Sequence, residues 1–320
     1  MLITNQNPHN KSIMLGVIGV PNVGKSSLIN YLIGLDLSAV THKPQTTRNH
    51  FHCIFTIDKV EVILVDTPGF HKSTQEINVR MNQEARDGGE GTDVNLLLLD
   101  LSKNIETQLK EFKNTYIVRN TNNETNKSNK LNVWPVFTKS DLLEGADQIV
   151  KDKCLEICKN ELGDVSKYFV VSSMNGDGMH ELVGAICDNA PNGPHLYNKG
   201  QMSNKNERFF VAEYIREQAF NILREEIPYE LAVIINEYKE IDSTIEERET
   251  GRIDNADSVN SANNVKMNEK IPVVARIEAT IIVNRQSQRA IVVGSKGATI
   301  KEIGSLARVK IEEMVGGKVF

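Results

Sequence analysis

Residues Gly19 to Ser26 read GVPNVGKS, a glycine-rich turn that closes on a lysine and a serine. It follows an apolar run and opens a stretch of helical spacing, the setting in which such a loop cradles phosphate. The glycines let backbone N–H groups curl around the phosphates, and the helix N-terminus adds positive potential. Lys25 would reach the β and γ oxygens, and Ser26 would ligate Mg²⁺. Gly19, Pro21, Asn22, Val23, Gly24, Lys25, Ser26 and Ser27 are therefore candidate nucleotide contacts. Asp66-Thr-Pro-Gly69 ends a second apolar run. A carboxylate there can hold Mg²⁺, usually through water, and the Gly69 N–H can meet a γ-phosphate; Thr67 and Pro68 complete the group. Between the two motifs lies Pro44–Arg48 (PQTTR), where a threonine must complete Mg²⁺ and sense the γ-phosphate. Thr47 is favoured over Thr46.

Thr138-Lys-Ser-Asp141 closes another apolar run, in position to read a base. The Asp141 carboxylate can accept both N1–H and the exocyclic N2–H₂ of guanine, a donor pair adenine lacks, so the motif selects GTP over ATP. Lys139 belongs to the same contact set. Thr138 stands where asparagine is commoner, which loosens the loop. Ser172, Ser173 and Met174 follow an apolar run and would supply the remaining backbone contact to the base. Phe70 follows Gly69, where Ras-like enzymes carry a water-orienting glutamine, and Pro21 stands where their loops have glycine. Hydrolysis then rests on positioning by Lys25, Thr47 and Gly69, on Mg²⁺ held by Ser26, Thr47 and Asp66, and on backbone donors. Slow turnover follows. Asn22 either helps a K⁺ ion bind beside the phosphates or simply fits the turn.

Late in the chain, Ile291–Gly304 (IVVGSKGATIKEIG) sets a GxxG turn between an expected apolar strand end and an amphipathic helix. That is the KH arrangement, which clamps about four single-stranded nucleotides. Gly294, Ser295, Lys296 and Gly297 form the clamp, with Arg289 and Lys301 adding attraction. The charge agrees. The whole chain carries −5, yet residues 271–320 hold 8 basic against 4 acidic side chains, a local excess that suits RNA.

These sites need elements to place them. Short apolar runs at Met14–Gly19, Val60–Asp66, Asn95–Leu101, Val133–Phe137 and Tyr168–Val171 read as parallel strands covered on both faces. They alternate with helical stretches at Ser26–Gly34, Ile149–Leu162 and Met179–Asp188, so residues 12–190 predict an α/β domain with a mostly parallel sheet. Residues 191–207, rich in Pro, Gly and Asn, read as a linker. Residues 208–320 predict a smaller α+β domain. It comprises a helix over Phe209–Glu226 with Phe209, Ala212, Ile215, Ala219 and Ile222 on its apolar stripe, strands at Leu231–Tyr238 and Arg276–Asn284, and a helix at Lys296–Val309. Segments 119–132 and 243–270 are polar, Asn-rich insertions that cannot bury enough surface to offset chain entropy. Gly88–Gly91 (GGEG) should break any helix before it.

With 320 residues, 40% hydrophobic and 25% charged, the composition is that of a globular two-domain chain. No apolar run spans a membrane, and the N-terminus lacks a secretory signal. Cys53, Cys154, Cys158 and Cys187 are scattered without a second ligand pair, which argues against zinc and suits a reducing cytoplasm.

Together these residues resemble the Era family of ribosome-assembly GTPases, which carry a C-terminal type II KH domain. QTTR (Gln45–Arg48), DTPGFHK (Asp66–Lys72), ERFFVAEYIRE (Glu207–Glu217), PYE (Pro228–Glu230) and the run from Arg276 to Gly304 carry the likeness. The resemblance implies a monomeric GTP switch whose KH domain binds the 3′ end of 16S ribosomal RNA during 30S maturation, with peripheral association at the cell membrane. Relatives continue past Gly-Lys-Val with a further strand and a helical tail, whereas this chain stops at Phe320; a bare sheet edge and weaker RNA binding are the expectation. Relatives also have helix where this chain has Asp87–Thr92. Two other readings stay open: an RNA-binding protein with a non-hydrolysing nucleotide domain, and a GTPase serving tRNA modification or membrane transport.

Overall fold

The computed structural model describes residues 9–41, 48, 50–69, 83–85, 87–89, 91–114, 132–143, 147–163, 165–241 and 273–320. Thr46, Thr47, Phe70, residues 119–131 of the first insertion and the whole of 243–270 lie outside the described residues. The chain divides into two compact units, Met1–Asn206 and Glu207–Phe320.

The first unit is built on a six-stranded sheet in the order β2-β3-β1-β4-β5-β6. Its strands are β1 (Lys11–Ile18), β2 (Phe51–Ile57), β3 (Val60–Asp66), β4 (Val94–Asp100), β5 (Val133–Thr138) and β6 (Phe169–Val170). All neighbours are parallel except β2 against β3. β3 and β4 are buried along their whole length, as strands with helices on both faces must be. The helices are α1 (Lys25–Ile33), α2 (Ile105–Phe112), α3 (Asp147–Leu162) and α4 (Met179–Asn189). Cys154 and Cys158 of α3 pack into a core with Leu97, Leu99, Phe112 and Phe137. Burial pushes the Cys158 thiol up to about 12, with Cys154 adding to the effect, which makes it an inert core group.

The helix before GGEG has ended by Gly91, a turn at φ 78, although Gly88 itself stays helical: residues 87–89 are in the helix. A Cβ at Gly88 would lie 2.7 Å from Thr67 Cγ2. Glycine thus lets this helix lie close against the sheet beside Thr67.

The segment expected as a linker is bonded to the first unit through its length. Ser12 N–H donates to Pro191 O at 3.2 Å, and Ile54 N–H donates to Met202 O at 2.8 Å. The Ser203 hydroxyl donates to His52 O at 2.6 Å. Glu61, buried within β3, accepts the N–H groups of Leu196 at 2.6 Å and Tyr197 at 3.1 Å. Residues 191–206 are therefore a strap pinned to β1 and β3 at its start and along β2 at its end.

The second unit has a three-stranded sheet, β7 (Ala232–Glu240), β8 (Val273–Ile282) and β9 (Lys318–Val319), in that order. β7 and β8 run antiparallel, β8 and β9 parallel. β9 is a two-residue strand within the Gly-Lys-Val run itself, and Ile277 N–H extends its ladder to Phe320 O at 2.8 Å. The helices are α5 (Glu207–Ile222), the short α6 (Ile227–Glu230), α7 (Gln286–Val293) and α8 (Ala298–Val315). On α5 the buried face contains Val211, Tyr214, Ile215, Gln218 and Ala219, spaced i, i+3, i+4, i+7, i+8. Of the expected stripe only Ile215 and Ala219 are buried, because polar Gln218 hides the true face in the sequence. Glu217, also buried, accepts the Lys310 ammonium of α8 at 2.9 and 3.0 Å.

A helix, α7, replaces the strand end expected before GxxG. The β-branched run Ile291–Val293 misled, whereas Gln288 starts the helix by accepting Arg285 N–H at 3.0 Å and donates to Glu230 of the PYE motif.

Candidate functional site

The carboxyl ends of β1, β3, β4 and β5 meet at one edge of the sheet, where α/β proteins place ligands. Among the described residues, Pro21, Asn22, Gly24, Lys25, Ser26, Ser27, Gly69, Thr138, Lys139, Asp141, Ser173 and Met174 line one cleft of about 580 Å³. Ala39, Val40, Thr41 and Leu142 join them; no motif contains the first three. Gly19, Val23, Asp66, Thr67, Pro68 and Ser172 are buried and do not line it.

Each has an identifiable task. Lys25 is buried and donates to Gly19 O at 3.1 Å and Val20 O at 3.0 Å. Burial lowers its pKa to about 8, and nearby Asp66 opposes the shift. The lysine is therefore desolvated. Thr67 turns toward the sheet, its hydroxyl donating to Val17 O at 2.6 Å. Gly69 abuts the phosphate loop: a Cβ there would fall 2.9 Å from both Cα and N of Pro21. Proline and glycine thus meet where the two motifs touch, and only glycine leaves room.

Thr138 does not loosen its loop. Its hydroxyl, buried, donates to Val23 O at 2.6 Å, tying β5 to the phosphate loop. Lys139, at φ 61, makes a second tie, its ammonium donating to Asn22 O at 2.9 Å and Asp100 Oδ2 at 2.7 Å. Burial pushes the Asp100 carboxyl up, but Lys139 and Ser102 together outweigh it and hold the group below its ordinary value. Gln108 fastens Asp100 further, accepting its N–H at 2.8 Å. Asp100 was not foreseen, although an aspartate ending a parallel strand at the ligand edge is a visible signal. Asp141 is exposed at the rim, and Ser172 aims it, donating its hydroxyl to Oδ1 at 2.5 Å. The same hydroxyl accepts Met174 N–H at 3.1 Å, so one serine sets both the carboxylate and the backbone meant for the base. Leu142 and Met174 expose apolar surface beside Asp141, suited to the faces of a purine.

Ser26 and Asp66 offer hydroxyl and carboxylate oxygen, the hard donors Mg²⁺ takes. No group of three His, Cys, Asp or Glu among the described residues could hold a metal. A cation here would thus need ligand phosphates to complete its shell, as Mg²⁺ at nucleotide sites does.

In the second unit, Gly294 (φ 72) and Gly297 (φ 79) bracket exposed Ser295 and Lys296, the latter at φ 50. A Cβ on Gly294 would fall 2.8 Å from Thr299 N, so the turn closes directly on the first turn of α8. Arg289 on α7 and Lys301 on α8 are exposed. No acidic residue occurs between Glu278 and Glu302. Ile291, Val293 and Ile300 expose apolar surface on either side of the turn.

Comparison with known proteins adds independent findings. Residues 14–138 match a family of GTPases described as 50S ribosome-binding, and residues 258–320 match the KH domain family. The GTPase Era of Carboxydothermus hydrogenoformans is 32% identical over 317 residues, covering 97% of this chain and 90% of its own. That of Thermosipho melanesiensis is 33% identical over 310 residues, with the same coverage of 97% and 90%. A crystal structure of Era with MgGDPNP and nucleotides 1506–1542 of 16S ribosomal RNA superposes with a TM-score of 0.78 at 28% identity, covering 98% of this chain and 92% of that one.

Proposed function

The chain belongs to the Era family of GTPases, and from that premise we propose that it is a GTP-hydrolysing switch that holds the 3′ end of 16S ribosomal RNA in its KH unit during 30S assembly. The observation that carries the reading is the cleft in which the phosphate loop, Gly69 and the Asp141 rim converge. Lys25 and the loop backbone take the phosphates, and Asp141 takes the guanine N1–H and N2–H₂. Gly69 meets the γ-phosphate, and Thr47 completes the response to it. Ser26, Asp66 and Thr47 hold Mg²⁺, which would neutralise charge between the β- and γ-phosphates. Turnover is slow, since nothing at Phe70 can orient water through a hydrogen bond.

For RNA, Ser295 and Lys296 offer a protruding backbone to phosphates, Arg289 and Lys301 add attraction, and Ile291, Val293 and Ile300 offer apolar surface to bases. A monomer that associates peripherally with the inner face of the cell membrane fits the family resemblance; co-flotation with anionic vesicles checks that. Asn22 at φ 61 occupies a conformation asparagine tolerates, which explains the residue without an ion. A faster turnover in KCl than in NaCl would restore the K⁺ reading.

The deciding experiment pairs two variants. Asp141→Asn should shift preference from guanine to xanthine nucleotides and leave RNA binding intact. Ser295→Asp with Lys296→Asp should abolish binding to the 16S 3′ end and leave GDP binding intact. ATP competing with GDP as well as GTP does would refute the first half, and RNA binding that survives both aspartates would refute the second.

A further inference from the structure

Asp66 is held by a residue that none of the recognised motifs contains. Ser38, in the segment after α1, donates its hydroxyl to Asp66 Oδ2 at 2.5 Å, with both side chains buried. Ser38 is itself fixed at both ends of its backbone. Its N–H donates to Asn30 Oδ1 at 2.7 Å, and its carbonyl accepts from Asn30 Nδ2 at 2.8 Å. Asn30 is buried on α1, the helix opened by Lys25 and Ser26. One amide thus brackets the Ser38 backbone as a neighbouring strand would, and couples the carboxylate of β3 to the helix that carries Ser26.

We propose that Ser38, clamped by Asn30, is a positioning residue for Mg²⁺ at the nucleotide site. A carboxylate turns freely about its last bond, and a metal pays for ordering it unless the protein has already done so. The Ser38 hydroxyl fixes the carboxylate plane of Asp66. Ser38 does not line the cleft, and its hydroxyl meets Asp66 instead.

The inference rests on the reading of Asp66 as a Mg²⁺ ligand, and the test separates the two. The dissociation rate of a fluorescent GDP analogue is measured in the full chain against Mg²⁺ concentration and in EDTA. Ser38→Ala should raise the Mg²⁺ concentration needed for half-maximal slowing by about tenfold, the order expected for one hydrogen bond to a charged group. The rate in EDTA should match the parent, and Ser38→Thr should restore the Mg²⁺ response. In an Asp66→Asn background, Ser38→Ala should add nothing. An unchanged Mg²⁺ requirement in Ser38→Ala, a faster rate in EDTA, or a further rise on top of Asp66→Asn would overturn the proposal. A parent whose GDP release ignores Mg²⁺, or an Asp66→Asn variant with the parent's requirement, would instead remove the reading beneath it. Ser38→Cys, similar in size but a weak donor, serves if the alanine variant does not fold.

Discussion

Lys25 makes nucleotide affinity depend on pH in a way the structure fixes in sign and size. Its pKa is lowered to about 8 by burial, against 10.5 for an ordinary lysine. Between those values the unfolded chain holds a proton the folded protein has released. Stability of the nucleotide-free protein therefore rises with pH across that window, by at most about 3 kcal/mol at 1.36 kcal/mol per unit. GDP binding runs the other way. Phosphate needs the ammonium, so the complex keeps Lys25 charged and binding above pH 8 must take up a proton. Affinity should be level below that point and then fall, being roughly fivefold weaker near pH 8.7 than near pH 7. Fluorescence titration with a labelled GDP at constant ionic strength measures this, kept below the pH at which guanine N1–H ionises. Lys25→Arg, which does not titrate, should bind with the same affinity across the range, whatever its absolute strength. A parent curve flat within twofold, or an arginine variant with the parent's slope, would refute the desolvated lysine.

Gly69→Ala sets a methyl 2.9 Å from the Pro21 backbone; overpacking should lower stability by about 1–3 kcal/mol in urea unfolding and reduce turnover by displacing the phosphate loop. Thr138→Ala removes the 2.6 Å bond to Val23 O and should speed GDP release severalfold in stopped flow, at about 1 kcal/mol for a neutral hydrogen bond, with Thr138→Ser restoring it. Glu61→Leu strips two buried acceptor contacts from the strap; amide exchange at Leu196 and Tyr197 should accelerate by at least tenfold, and unchanged protection would mean the strap is held elsewhere.

The phosphate loop, DTPG and TKSD were legible because each demands residue types that few other structures need: glycine beside phosphate, aspartate at a strand end. The partners that steady them were not. Ser38 and Asn30 are common residues whose pairing depends on where α1 ends, and Gln108 finds Asp100 only once β4 and α2 have packed. β2 went unread because Cys53 and Ile54 are both buried, which breaks the alternation an antiparallel strand should show. The strap was misread from composition, since Pro, Gly and Asn mark irregular backbone whether it hangs free or is bonded. Its signal was Glu61, a charge one residue into the strand VEVILVD and followed by four apolar residues, which had to be answered by something polar. Within GGEG the helix has ended by Gly91, whereas Gly88 stays helical because its close approach to Thr67 outweighs the cost of its conformational freedom.

The strap also determines where this protein can be cut. β2 ends the sheet, and its outer row of backbone groups, at Ile54 among others, is occupied by residues 202–204. A fragment stopped at Ala190 would keep every nucleotide motif yet bare a strand whose side chains include Phe51, Cys53 and Ile54. Unpaired N–H and C=O groups along such a strand are a template for another copy. That fragment should precipitate or self-associate as concentration rises, where one ending at Asn206 stays dispersed. An isolated nucleotide-binding piece of this chain therefore ends with the strap, although no residue of the strap touches the chemistry.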